Sequence, residues 1–458
     1  MGEARGAVQL VLMLPNVRAP GFRHGIHPPD SKELTAHLPL RRLEFPVEVV
    51  LPLRQHSGKP AVLRVKKGDR VLRGDVIATA DGFVSAPVHA SASGTVTEIG
   101  LWPHPDGSMD TAVHIAVDRW SPQVPRPRLV PKWRGLTPAQ VVRAVQDAGV
   151  VGLGGAGFPT HVKLAPPSDL KVELIILNGA ECEPYLTTDH RIMVEYPERV
   201  HFGLRVMMHA LGVHRAVIGV ERNKPDAIEA LRRTTPTDLS VEILPLTVKY
   251  PQGAEKMLIK AVTGREVPSG KLPVNLGVVV QNVGSAASIA EVFETGLPLV
   301  ERVVTVSGRG VRKPANLIVP VGTRLGTLID ACGGLTDDAA EIIFGGPMMG
   351  VPQSSLDVPI VKGTTGVIVL TQADVRAERT YPCIHCGQCL EACPVYLNPQ
   401  RLGELARAGR YEDMEPLHVM DCMLCGSCAY VCPSNIPLAQ LFQASKSALR
   451  RQPVKVAS

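Results

Sequence analysis

Two stretches near the C-terminus, CIHCGQCLEACP at 383–394 and CMLCGSCAYVCP at 422–433, repeat one spacing, C-x2-C-x2-C-x3-C-P. The chain has ten cysteines, and eight of them lie in these two runs: Cys383, Cys386, Cys389, Cys393, Cys422, Cys425, Cys428 and Cys432. Three thiolates spaced in this way wrap one face of an iron–sulfur cube, while the fourth, carried off on a helical turn, reaches a second cube. By that rule the ligand sets cross: Cys383, Cys386, Cys389 and Cys432 hold one [4Fe–4S] cluster, and Cys422, Cys425, Cys428 and Cys393 hold the other. A pair of zinc sites would also use C-x2-C pairs, but zinc takes four ligands from two such pairs and has no use for the third cysteine or the proline. Gly387 and Gly426 follow the second cysteine of each motif, where a small residue lets backbone N–H groups approach the cluster sulfurs. The stretch from Pro399 to Arg410 reads as a helix between the motifs.

Paired cubes carry single electrons, so something upstream must load them. At 458 residues with 45% hydrophobic content, the chain has material for three or four domains. The net charge of +6 is spread out, apart from small clusters such as Lys66-Lys67, Arg232-Arg233 and Arg450-Arg451. This reads as a solvated surface, with attraction to an acidic protein or an anionic membrane as the alternative. Aromatic residues make up only 4%, which argues against stacking platforms for nucleic acid. No apolar run approaches the ~20 residues of a membrane span. The apolar stretch AVQLVLML at 7–14 lacks a cleavage pattern, so no export signal is expected. Thiols in a reducing cytoplasm favour metal ligation over disulfides.

The glycine-rich stretch GLGGAGFPTHVK at 152–163 satisfies G-x-G-x-x-G through Gly152, Gly154 and Gly157, but what precedes it is not a strand. Thr137-Pro138-Ala139-Gln140 begins a helix with a capping box, Val141, Val142 and Val145 supply its inward face, and Gly149 ends it. Four glycines in six residues still present backbone N–H groups to a phosphate, with Lys163 in reach; a plain glycine-rich turn is the alternative. A strand at Val172 to Leu177 delivers NGAECEPYLTTDHR at its C-terminal end, where open α/β sheets place ligands. Glu181 and Glu183 flank Cys182 there. Helix Pro197 to Leu211, strand Arg215 to Val220, helix Pro225 to Arg232 and strand Val241 to Leu246 continue an alternation that predicts a parallel sheet.

The order of G-x-G-G-A-G-F-P-T-x-x-K at 152–163, N-G-A-E-C-E-P at 178–184, Y-P-Q-G-A-E-K at 250–256 and Q-N-V-G at 281–284 resembles the flavin- and NADH-binding subunit of respiratory complex I. Joined to the two cysteine motifs, GIHPPDSK at 25–32 and IFGGPMMG at 343–350, the sequence resembles the C subunit of the Rnf (Rsx) ion-translocating oxidoreductases over roughly residues 20–440. The resemblance implies FMN on the glycine loop and NADH as its substrate. Gly152, Gly154, Gly155 and Lys163 would contact the phosphate and ribityl chain, Asn178 and Glu183 would hold the flavin, and Asn282 would approach it. Glu181, Phe158 and Glu255 would surround the nicotinamide. The sequence departs from the complex I pattern at Leu153, Ala180 and Ala254, where an arginine and two acids are expected.

The resemblance also divides the chain into multidomain α/β and α+β units. These are a barrel-sandwich hybrid at 20–125, an α/β flavin/NADH-binding domain at 134–300, an SLBB-type β-grasp domain at 301–370 and a two-cluster ferredoxin-like helical domain at 374–446. Barrel-sandwich domains of the biotinyl/lipoyl type display a modified lysine on a hairpin, but Ala80-Asp81-Gly82 occupy that place. No swinging arm is expected. His24 and His27 read as turn residues rather than metal ligands, and Cys332 as a buried small hydrophobe.

The implied function is that of an oxidoreductase subunit, peripheral to the cytoplasmic side of a bacterial inner membrane. It would pass electrons between NADH, FMN and two [4Fe–4S] clusters. The expected partners are other subunits of the membrane complex, including an iron–sulfur subunit, and indirectly ferredoxin, with no nucleic acid. A soluble NADH-dependent diaphorase subunit and a non-catalytic scaffold are the alternatives.

Overall fold

The computed structural model describes residues 19–121, 123–124, 132–375 and 379–451. The apolar stretch at 7–14 and the few remaining residues of the predicted domain boundaries lie outside them. The first unit is a sandwich of two small sheets. One joins Glu48–Pro52, Met109–Val117, Gly94–Pro103 and Arg70–Val71; the other joins Val62–Leu63, Val76–Thr79 and Val88–His89. Val49, Leu51, Ile77, Val113 and Ile115 fill the space between them. The Ala80-Asp81-Gly82 hairpin is solvent-facing and carries no lysine, as expected.

The second unit is a four-stranded parallel sheet in the order Val241–Leu246, Ala216–Glu221, Leu174–Gly179, Val278–Asn282. Its strands are continuous apolar runs because helices cover both faces. Ile175 and Leu177 point toward helices Pro138–Asp147, Pro197–Leu211 and Val283–Thr295, while Ile176 points to helix Glu255–Thr263. Thr137 and Gln140 form the predicted capping box. The first strand runs two residues later than the apolar pattern predicts, because Asn178 and Gly179 remain paired with Gly219 and Val220 on the neighbouring strand. Asn178 is therefore held by the sheet rather than carried on the loop.

The third unit is a mixed six-stranded sheet built from Glu301–Ser307, Ala315–Pro320, Ala339–Phe344, Val351–Gln353 and Gly366–Thr371, with Leu40–Arg42 added in parallel beside Ala315–Pro320. Residues 20–43, grouped by the sequence with the first unit, leave it and run across the others. Ile26 pairs with Tyr250 of the second unit, and Leu40 with Asn316 of the third.

In the fourth unit, helices Gln388–Ala392 and Ser427–Tyr430 each carry the third cysteine of a motif, and the longer helices Pro399–Arg407 and Leu438–Arg451 pack on each other. The first of the longer pair ends three residues short of the prediction. Gly409 takes a left-handed φ of 68°, and the N–H groups of Gly409 and Arg410 close a Schellman cap on the Ala406 and Leu405 carbonyls. No pattern in the sequence announced the final helix.

Helices Pro197–Leu211 and Val283–Thr295 cross with almost no gap at Gly203, where an added Cβ would lie 1.8 Å from the Ala286 carbonyl oxygen. Both sides of that contact are backbone and cannot yield cheaply. Gly203→Ala should destabilise the second unit by about 2 kcal/mol or more, visible as a lowered calorimetric transition for that unit. An unchanged transition would mean that the helices separate freely.

Candidate functional site

The two cysteine motifs fold as near-copies. Gly387 and Gly426 both sit at φ 78°, so these glycines also supply a left-handed turn. His385 and Leu424, two residues after the leading cysteines, are left-handed at φ 54° and 57°, and their N–H groups donate to Cys383 Sγ and Cys422 Sγ at 3.4 Å. Tyr396 and Asn435, three residues after the trailing cysteines, are left-handed too. Four non-glycine residues in this strained region have one cause in common: the backbone curls so that thiols and amides face inward.

The thiols line two cavities. One, of about 60 Å³, is bordered by Cys383, Cys386, Cys389 and Cys432; the other, of about 20 Å³, by Cys422, Cys425, Cys428 and Cys393. Each takes three cysteines from one motif and the fourth from the other, which is the crossed arrangement the spacing predicts. Well-packed interiors keep few voids larger than a water molecule, so two voids each bordered by four thiols fit a pair of cubes. The thiols surround a volume rather than meet at a point. Among the described residues, no three His, Cys, Asp or Glu side chains converge on a single-ion site. Burial pushes the Cys422 thiol up to about 11 and raises those of Cys428 and Cys393; the positive charge of a bound cluster would hold them as thiolates.

The two cavities differ in their surroundings. Cys386 is exposed and Ile384 beside it is 66% exposed. In the second cavity Cys393, Cys425 and Cys428 are buried, and this side packs on the α/β unit. Tyr250 Oη donates to the Cys425 carbonyl at 2.7 Å, Lys256 Nζ reaches Asp421 at 3.4 Å, and Ser269 Oγ donates to the same carboxylate. His24 completes the contact through Nδ1 to the Glu391 carbonyl, 2.6 Å away, and an edge-on approach to Tyr396. It thus serves as a contact between units, whereas the sequence suggests a local turn residue. Lys446 Nζ donates to the carbonyls of Cys422, at 2.6 Å, and Met420. Neither Tyr250 nor Lys446 stood out as a partner of the cysteines, because tertiary packing alone brings them there.

The glycine turn lies at the carboxyl end of the parallel sheet. The chain adds strands on one side of Leu174–Gly179 and then returns to the other with Val278–Asn282. The opening at this reversal is where such sheets bind ligands. Asn178 and Asn282 face each other across it as paired strand residues. Asn282 Nδ2 donates to Asp189 Oδ2 at 2.7 Å, its Oδ1 accepts from Gly284 N–H, and it lies 3.4 Å from where a Cβ on Gly154 would stand.

The turn is braced from behind. Leu153 N–H donates to Ser285 Oγ at 3.0 Å, the buried Arg302 donates to the Leu153 carbonyl at 3.1 Å, and Ser57 Oγ donates to the Ala156 carbonyl at 2.9 Å. Gly152 N–H donates to the Phe158 carbonyl at 2.7 Å, which closes the loop. Gly154, Gly155 and Ala156 are exposed, and among the described residues their N–H groups meet no acceptor. Gly155 takes φ 107° with open space on its Cβ side. Successive unpaired amides of this kind form an anion nest, which fits the phosphate of FMN.

The other predicted site residues divide into two groups. Lys163, on the short helix Thr160–Leu164, forms a 2.5 Å ion pair with Glu255 and donates to the Val280 carbonyl, so two residues predicted separately act together. Asn178 Nδ2 donates to the Gly253 carbonyl at 2.8 Å. Glu181 is committed elsewhere. Its oxygens accept from Thr188 Oγ1 and from the N–H groups of Asp189 and His190, so it caps helix Thr188–Glu195. Burial alone would raise its pKa, but Lys32, Lys224 and these donors outweigh it and hold the carboxyl below its usual value.

Glu183 turns to the third unit, where Oε2 accepts from Met348 N–H at 3.1 Å and Oε1 is sealed from solvent without a partner. Leu153, which stands where complex I has arginine, is a core residue at 2% exposure. Asp189 was not singled out by its sequence. Burial first, and then the charge of Glu181, push its carboxyl up to about 7 beside Asn282.

A nucleotide-type cradle on an α/β sheet, docked to a two-cube domain, defines a multidomain electron-transfer protein. Four family models match in chain order: the RnfC barrel sandwich hybrid domain at 20–120, the Nuo51 FMN-binding domain at 145–291, the SLBB domain at 303–352 and the 4Fe-4S dicluster domain at 379–436. The chain is 47% identical to the C subunit of the proton-translocating ferredoxin:NAD(+) oxidoreductase complex of Clostridium ljungdahlii, over 86% of each chain. It is 45% identical to the Na(+)-translocating counterpart of Acetobacterium woodii, over 89% of this chain and 92% of that one. Against the C subunit of the ion-translocating oxidoreductase complex of Rhodobacter capsulatus it is 42% identical, over 93% and 83%. The chain belongs to the RnfC family, the C subunits of ion-translocating ferredoxin:NAD+ oxidoreductase complexes. Its fold is also similar to a chain of an NAD+-reducing [NiFe]-hydrogenase, with a TM-score of 0.50 and 22% identity over 69% of this chain and 64% of that one.

Burial pushes the Glu183 carboxyl up to about 7, against roughly 4.3 for a free glutamate. Between those pH values the folded chain keeps a proton that the unfolded chain has released, so this group's contribution to stability falls as pH rises from about 4 to 7. Glu183→Gln should flatten that fall, seen by comparing denaturation midpoints at pH 5 and pH 8. Equal pH slopes in variant and wild type would show that Glu183 titrates as an ordinary carboxylate.

Proposed function

We propose that this chain carries electrons between NADH and two [4Fe–4S] clusters by way of an FMN held on the glycine turn, as a peripheral, cytoplasmic-side subunit of a membrane-bound ion-translocating complex. The observation that carries this reading is the pairing of two cavities with interleaved cysteine sets and a nest of unpaired amides on one rigid frame. Bound FMN would supply the conversion of a two-electron hydride into single electrons.

The chain's own residues hold and orient. The N–H groups of Gly154, Gly155 and Ala156 take the phosphate. Lys163, paired with Glu255, would offset its charge. Asn178 and Asn282 fix the ring at the strand ends, and Glu255 stands at the rim toward the nicotinamide. Glu181 and Glu183 support the site from behind, as helix cap and inter-unit contact.

The cluster held by Cys393, Cys422, Cys425 and Cys428 lies on the flavin side, since its walls touch Tyr250 and Lys256. The other, with Cys386 and Ile384 open to solvent, is the exchange point with an iron–sulfur partner subunit, and through it with ferredoxin. Among the described residues no helix is long and apolar enough to cross a membrane. The coupling ion is therefore handled in the membrane partners, where buried ionisable residues mark ion paths. Relatives named for protons and for Na+ match this chain almost equally well, as expected if the subunit itself does not choose the ion.

Anaerobically purified chain should contain about eight iron atoms together with FMN, and NADH should bring up paramagnetic signals of reduced clusters. Zinc in place of iron, or iron centres that stay silent when NADH meets the flavin-loaded chain, would end this reading. Lys163→Ala should weaken FMN binding roughly tenfold at unchanged iron content; equal flavin occupancy would remove Lys163 from the site. The crossed ligand sets have their own test. Cys393→Ala combined with Cys422→Ala should lose one cluster and retain about four iron atoms, whereas Cys393→Ala with Cys383→Ala should lose both. The reverse outcome means that each motif holds its own cube.

A further inference from the structure

We infer that Tyr250 is a positioning residue for the cluster bound by Cys393, Cys422, Cys425 and Cys428, and that its phenol hydroxyl raises the reduction potential of this cluster. The inference rests on the electron-transfer reading given above.

Tyr250 is 2% exposed, and a buried tyrosine needs a partner for its hydroxyl. Here that partner is the main-chain carbonyl of a cluster ligand, Cys425, at 2.7 Å. A main-chain carbonyl can only accept, so the hydroxyl is the donor in this bond. The positive end of the O–H dipole thus points at the ligand loop of one cluster. Reduction of a cube adds one negative charge, and donors around its ligands stabilise that charge.

The two motifs agree residue by residue in spacing and in left-handed turns, so their sequences make the two cubes near-equivalent. Cys386 is the counterpart of Cys425. It is exposed, and among the described residues no side chain donates to its carbonyl. Tyr250 thus adds to one cluster, from 175 positions away in the chain, a donor that its twin lacks.

The segment bearing Tyr250 also touches the cofactor end. Three residues on, the Gly253 carbonyl accepts from Asn178 Nδ2, and its N–H donates to Cys182 Sγ at 3.2 Å. No side chain fits at Gly253: a Cβ would lie 2.2 Å from the Ala180 carbonyl oxygen. The other end of the segment is pinned by two main-chain bonds between Tyr250 and Ile26, each 2.9 Å. One short, doubly anchored loop thus bridges the strand end beneath the cradle and the ligand loop of the flavin-side cluster. Any electron passed from a bound flavin to a bound cluster would balance between those two groups. Tyr250 keeps its proton and is neither oxidised nor reduced.

The test is an electrode-poised redox titration of the full chain with both clusters assembled, each cluster followed by electron paramagnetic resonance. Tyr250→Phe should shift one cluster to more negative potential and leave the other in place. Difluorotyrosine installed at position 250 is a stronger donor and should shift the same cluster the opposite way. If Tyr250→Phe fails to assemble clusters, the difluorotyrosine chain, which keeps ring and hydroxyl, still decides. Unchanged potentials, or an equal shift of both clusters, would overturn the inference. The titration needs neither NADH nor flavin. A chain with two clusters that NADH cannot reduce would therefore fail the proposed function alone, whereas a chain that takes up no iron removes both.

Discussion

The crossing of the fourth cysteine between motifs is the constraint on which the rest of the structure depends. Because each cavity borrows one thiol from the other motif, neither cluster site can form alone. Residues 383–394 and 422–433 must therefore close on each other as one body. That closure fixes where helices Pro399–Arg407 and Leu438–Arg451 pack, and it orients one cavity inward and the other outward. An inward cavity needs a wall, which the α/β unit provides through Tyr250, Lys256 and Ser269. The contrast between one walled and one open cavity is thus a consequence of how an internally symmetric domain docks asymmetrically.

The glycine turn depends on support of the same kind. Its outer amides stay unpaired because its inner groups are held by three different units: Ser285 from the sheet unit, Ser57 from the sandwich and Arg302 from the third domain. Nearby, the buried Lys362 donates to the carbonyls of Pro87 and Gly149, both at 2.8 Å, and so joins the same three units at one ammonium group. Burial presses its pKa down to about 7. Arg302, pressed down to about 10 by burial, likewise spends its hydrogen bonds on carbonyls. Arg302 lies behind a turn whose expected ligand is a phosphate, so its field and the anion nest act in the same sense. The sandwich and β-grasp units, which show no chemistry of their own, serve here as the rigid backing of the cradle.

Much of this was legible in advance. The eight cysteine ligands and their interleaving follow from spacing, since a fixed residue gap sets how far thiols can reach around a cube. The helix from Pro138 and the strands at 216–221 and 241–246 follow from caps and apolar periodicity. The charged residues near the cradle were harder to assign. Lys163 and Glu255 were each recognised, but their pairing was not. Glu181 looked like a ligand of the nicotinamide and proved to be a helix cap, because motif matching locates a carboxylate without saying which donors its oxygens will meet. The path of residues 20–43, the final helix and Asp189 escaped for a related reason: each is defined by a partner far away in sequence.

The sequence alone placed eight cysteines in two interleaving motifs, a glycine-rich turn at the end of a parallel sheet, and four units in a fixed order. Those properties are local, set by residue spacing, caps and periodicity. Only the tertiary structure decided which cluster faces the cradle, that Glu183 belongs to an inter-unit contact, and that Tyr250 reaches Cys425 across 175 residues of chain. Such pairings arise from the packing of separately folded surfaces, and no short-range pattern in the chain encodes them.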